Sequence, residues 1–180
     1  MKSLLLGSLL AAVALFFWGF LYYGATGIPY GTLAETDDVG PALNELFPTD
    51  GTYVVPSPLA EDSAELTARG PFAMVHIHKG GSDMMSASFL IGGFLHGFVY
   101  CLLLGLLLQQ ICKKTQFWGR VGFLTLAGVA GAVMARAGDA IWWLQPWGWQ
   151  LSNILYTVIG SAIAGLVLAK FIKSPVRSDA

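Results

Sequence analysis

Charge is scarce in this chain: Asp, Glu, Lys and Arg make up 12% of its 180 residues, against 55% apolar residues. A water-soluble domain carries roughly a quarter charged residues, so much of this surface meets something other than water. Carboxylates are missing altogether from four long apolar runs, Leu4–Tyr23, Met85–Ile111, Trp118–Arg136 and Leu151–Ile172. That lack argues against a proton or cation relay, which usually moves its cargo along intramembrane acids. Proline is absent from the same four runs.

Cysteine is limited to Cys101 and Cys112, and neither falls in residues 24–84. A disulfide staple for that segment is therefore excluded. Cys112 has Lys113 and Lys114 beside it, but a lone cysteine at a helix end reads as inert. No N-x-S/T sequon occurs, nor a G-x-x-x-x-G-K-S/T loop, a G-x-S-x-G elbow, an H-E-x-x-H helix or a C-x-x-C pair. Phosphate-loop, serine-hydrolase, zinc-protease and dithiol chemistries lose their usual carriers. No continuous basic stripe is present, which argues against a nucleic-acid partner.

What remains is apolar length. Each run meets the ~20 residues an α-helix needs to cross ~30 Å of hydrocarbon. Stretches such as LLLGLLL at 102–108 do not alternate as barrel strands do. The first run ends in Tyr22-Tyr23 without an A-x-A-like exit, so it reads as a retained anchor rather than a cleaved signal. The fold expected is an all-α integral membrane protein, a four-transmembrane-helix bundle with a small outward α+β cap between helices 1 and 2. The divisions are 1–23 (helix 1), 24–84 (extracytoplasmic cap), 85–111 (helix 2) and 112–117 (cytoplasmic loop). They continue with 118–136 (helix 3), 137–150 (Trp-rich outer interfacial loop), 151–172 (helix 4) and 173–180 (cytoplasmic tail).

Orientation follows from charge. Lys2, Lys113, Lys114, Arg120, Lys170, Lys173 and Arg177 flank one set of helix ends. Residues 24–84 hold nine acids and only Arg69 and Lys79 as bases. The positive-inside rule puts both termini in the cytoplasm and this segment outside. For a bacterial cytoplasmic (inner) membrane, outside is the periplasm.

Within the cap, Asp37-Asp38 and Pro41 predict a helix start, and Leu43, Leu46 and Phe47 give it an apolar face. Thr52–Val55 and Phe72–His78 read as strands, and 59–69 as one or two helical turns. On the second strand Met74, His76 and His78 share a face. With Asp83 nearby, they form the best metal candidate, for copper through imidazole and thioether or for zinc through imidazole and carboxylate. The simpler expectation is a contact strand with no cofactor.

Inside the apolar runs, small residues recur at four-residue spacing: Gly93, Gly97, Cys101 and Gly105; Ala127, Gly131 and Ala135; Thr157, Ser161, Gly165 and Ala169. In lipid such stripes let helices approach closely. The reading predicts that Gly97→Leu disrupts packing far more than Leu103→Ala. His96 lies ~15 Å along helix 2, near mid-bilayer, with Gly92, Gly93 and Tyr100 on its face. A neutral His96 bonded across to Thr157 or Ser161 is expected. Arg136 and Asp139 are expected to pair on one helix face. Trp142, Trp143, Trp147 and Trp149, joined by Tyr22, Tyr23 and Tyr30, read as an aromatic belt.

The function expected is non-enzymatic: an accessory or scaffolding subunit whose partners are lipid and other membrane subunits or further copies of itself. The competing readings are a metal-handling or redox-linked protein using His76 and His78, and an oligomeric small-molecule transporter around His96.

Overall fold

The structure, a computed structural model, describes residues 1–34, 38–111 and 115–172. Cys112, Lys113, Lys114, Lys173 and Arg177 lie outside the described residues. The chain divides into two units, one taking Met1–Leu33 with the chain from Met85 onward, the other Ala34–Met84.

The first unit is helical. Helix α1 (Lys2–Gly19) continues through a wider π-helical turn, Phe20–Ala25. Four continuous helical stretches, Lys2–Ala25, Ala87–Ile111, Phe117–Trp142 and Trp147–Phe171, are long and apolar enough to cross a membrane. At ~1.5 Å per residue each extends about 36–39 Å. Apolar side chains also face outward, including Leu5, Leu6 and Leu9 on the first stretch and Ile91, Leu95, Val99 and Leu103 on the second. A helix apolar on every side is the pattern of a membrane span or a deeply buried helix.

Two ends differ from expectation. Helix 3, expected to stop at Arg136, passes through a second π-helical stretch, Val133–Ala137, and continues as a short helix, α6 (Gly138–Trp142). Gly138 keeps helical angles, φ −58° and ψ −46°. A lone glycine weakens a helix without ending it, and the next breaker is Pro146. The connection between the third and fourth stretches is therefore Trp143–Pro146, much shorter than 137–150. Leu144 turns it at φ 53°.

The helices follow the order α4 (Ala87–Ile111), α1, α7 (Trp147–Phe171), α5 (Phe117–Ala132), with α1 and α7 as the central pair. The core joins Leu4, Ala11 and Ala12 of α1 with Cys101, Leu104 and Leu108 of α4. It is completed by Leu124 of α5 and by Ala164 and Leu168 of α7. Ala11, Ala12, Cys101 and Ala164 sit among these leucines, and small side chains at a crossing let two helix backbones approach closely.

The second unit contains α2 (Gly40–Leu46), β1 (Gly51–Val55), α3 (Ser63–Arg69) and β2 (Ala73–Ile77). Asp38 Oδ1 accepts the Gly40 N–H at 3.0 Å and so opens α2. β1 and β2 pair antiparallel, Gly51 opposite Ile77 and Thr52 opposite His76. Gly70 closes α3 at φ 70° and ψ 177°, backbone that a Cβ disfavours. Among the described residues of this unit none is buried.

Candidate functional site

Where three helices meet, their side chains interlock. Tyr100 of α4 and Ser161 of α7 share a hydrogen bond of 2.7 Å, and Ser161 Oγ also donates to the Thr157 carbonyl at 2.6 Å. Gly128 of α5 makes room for both: a Cβ there would lie 1.8 Å from Ser161 Oγ and 3.4 Å from the Tyr100 hydroxyl. Along α5 the buried positions are Val121, Leu124, Gly128 and Ala132. The engaged glycine is thus one position away from the expected Ala127–Gly131–Ala135 line, and Gly131 meets nothing within 4 Å. On α7, Ser161 and Gly165 do lie in the interface, and a Cβ on Gly165 would lie 3.4 Å from the Val121 backbone.

The stripe on α4 is split. Its inner members are packed: Cys101 is buried beneath Ser8, whose hydroxyl donates to the Cys101 carbonyl at 3.4 Å, and a Cβ on Gly105 would lie 2.6 Å from Leu4 Cδ1. Its outer members are open. Gly92, Gly93 and Gly97 have nothing within 4 Å of where a Cβ would stand. No contact of a Cβ at Gly97 within this single chain accounts for the expected penalty of Gly97→Leu.

His96 belongs to that open stretch. It is exposed and is not bonded to Thr157 or Ser161, whose hydroxyls are taken by the Asn153 and Thr157 carbonyls and by Tyr100. Helical phase explains the correction. His96 sits five residues from the buried Cys101, which rotates it about 140° around the axis. Tyr100, one turn further in, reaches Ser161 in its place.

At the C-terminal end of α1 the tyrosines turn toward α7. Tyr22 is 1% exposed and donates to the Ser152 carbonyl at 2.7 Å. Tyr23 donates to Asn153 Oδ1 at 2.8 Å, and the Trp18 indole N–H donates to the Tyr156 carbonyl at 3.1 Å. Trp18 and Tyr156 stack with ring centroids 6.1 Å apart. These rings lock α1 to α7 rather than joining a belt with Tyr30. Trp142, Trp143 and Trp147 are exposed, and Trp149 is half-buried. Arg136 Nη1 lies 3.9 Å from Asp139 Oδ2, both partly exposed. Gln150 is buried, donating to Gln145.

In the second unit, pairing puts Asp50, Thr52 and Val54 on the same ribbon face as His78, His76 and Met74. His76 Nδ1 is 2.8 Å from Thr52 Oγ1, and His78 Nδ1 is 3.0 Å from Asp50 Oδ2. Asp50 Oδ1 accepts the Lys79 backbone N–H at 2.8 Å. That bond, then His78 and the Lys79 charge, holds the Asp50 carboxyl below its ordinary range. Lys79 Nζ also donates to the Asn44 and Phe47 carbonyls, capping α2. Among the described residues no three His, Cys, Asp or Glu side chains converge on one point, so Asp83 does not complete a set with His76 and His78. Asp50 and Thr52 belong to no motif of their own, and it is the register after the Pro48–Gly51 turn that brings them opposite the histidines. No family model, curated protein or solved structure matches this chain.

Proposed function

We propose that this chain is a non-enzymatic accessory or scaffolding subunit of a larger assembly in the bacterial cytoplasmic (inner) membrane. In this reading both termini are cytoplasmic and residues 24–84 face the periplasm. The observation that carries it is the N-terminal half of α4, where Gly92, Gly93 and Gly97 stand open and His96 is exposed without a hydrogen-bond partner among the described residues. Inside a bilayer an unpartnered imidazole is costly, and a glycine face beside it admits another helix at close range. A partner helix offering a hydrogen-bonding side chain satisfies both. The second unit adds support: about fifty residues with none buried among those described gain order from a covering surface, since two strands alone are marginal in water.

The test is purification in gentle detergent with identification of co-purifying chains. The native chain is expected to travel with a partner, and Gly93→Leu/Gly97→Leu is expected to release it while leaving the chain folded. A solitary monomer, unchanged by the double substitution, overturns the reading.

A further inference from the structure

We propose that the exposed His76–His78 face of the β1–β2 ribbon is a copper(II) site with two protein ligands. Both imidazoles are already held in the way metal-binding histidines usually are. A ligating ring commonly donates its second N–H to a carboxylate, hydroxyl or carbonyl, which fixes ring and tautomer. Here Asp50 Oδ2 lies 3.0 Å from His78 Nδ1 and Thr52 Oγ1 lies 2.8 Å from His76 Nδ1. The tautomer that donates from Nδ1 leaves Nε2 with its lone pair on each ring. His76 and His78 are two positions apart on one face, with Cα atoms ~6.7 Å apart, so both Nε2 atoms can reach one ion. Both side chains are exposed, and Gly80 places no side chain beside His78 Nε2.

The donor set selects the metal. No carboxylate joins the two rings as a third ligand among the described residues, which weakens the case for a closed zinc site of four protein ligands. Imidazole nitrogen with water in the remaining positions suits copper(II), which also binds more tightly than zinc to a given nitrogen site. Met74 lies on the same face one step further along β2, a soft thioether within the same stretch.

The chain has three histidines, so the test separates them cleanly. Copper(II) chloride is titrated into the detergent-purified full chain, followed by calorimetry and electron paramagnetic resonance. One equivalent is expected, with nitrogen couplings from two imidazoles. His76→Ala and His78→Ala each remove one nitrogen and weaken binding. Asp50→Asn weakens it by roughly 10-fold or more with both nitrogens retained, as loss of an orienting partner does. His96→Ala leaves affinity and spectrum unchanged. Copper binding that survives His76→Ala/His78→Ala, or that falls in His96→Ala, overturns the proposal, as does a native chain that takes up no stoichiometric copper. His76→Gln, which keeps a polar side chain on the strand, must lose the same nitrogen; a retained coupling also overturns it.

Discussion

Gly128 shows how one missing side chain sets a helix crossing. Its Cα faces the Tyr100–Ser161 hydrogen bond, and an added methyl would occupy the space of Ser161 Oγ, 1.8 Å away. Ser161 can move only by breaking its bonds to Tyr100 and to the Thr157 carbonyl. Gly128→Ala is therefore expected to destabilise the helical unit by about 1–3 kcal/mol, the usual cost of overpacking. Gly131→Ala, one turn along and open, is expected to leave the midpoint unchanged or raise it, because alanine is the better helix former by roughly 1 kcal/mol. Thermal unfolding of the two variants in one detergent checks the contrast; equal loss in both would remove Gly128 from the crossing. Four-residue spacing of small residues reveals that a close approach exists, but several phases satisfy it on a glycine- and alanine-rich helix. The choice between 127 and 128 depended on Val121 and Leu124, large residues whose burial fixes which side faces α7.

Helix existence was legible where composition alone decides it. Four apolar runs without proline gave four long helices, and the α2–β1–α3–β2 sequence of the second unit followed from Pro41, Pro48, Gly51 and Gly70. Faces and ends were less legible. Tyr22 and Tyr23 have the amphipathic rings of an interface belt, yet Ser152 and Asn153 on α7 present acceptors that draw them inward. Arg120, counted from sequence as an inner-side charge, also donates to the Ile172 carbonyl at 3.0 Å and caps α7. The two halves of α4 make the sharpest test at this scale. Gly105→Leu must displace Leu4 and Ser8 from the core, and it is expected to lower stability by at least ~1–3 kcal/mol or prevent a monodisperse preparation. A Cβ at Gly93 or Gly97 meets nothing within 4 Å, so Gly93→Leu/Gly97→Leu is expected to keep native helicity and melting in isolation. Circular dichroism on the purified variants checks both; unfolding by the outer pair would mean that the open half packs internally after all.

At the scale of the whole molecule, the uneven distribution of charge is the feature the apolar helices cannot supply. Residues 24–84 hold nine acids and two bases, while Lys and Arg, Arg136 excepted, gather at the opposite ends of the runs. Each basic residue near an anionic leaflet is worth roughly 1 kcal/mol, so several acting together support the orientation proposed above. Short flanking segments count most in this rule, and Lys113, Lys114 and Arg120 fall within the brief connection before α5 and its first turn. On the proposed reading all four long apolar helices cross, which returns the chain to its starting side, so the two ends are expected to report the same side. An alkaline phosphatase inserted after Ala60 is expected to be active, whereas the same enzyme fused after Ala180 is expected to be inactive and a fluorescent protein there to fold. Alkaline carbonate is expected to leave the chain in the membrane pellet. If the two ends reported opposite sides, one apolar helix would not cross. If the Ala60 fusion were silent and the Ala180 phosphatase active, the outward assignment of the acidic segment would be reversed, and with it the side from which a partner could reach the open half of α4.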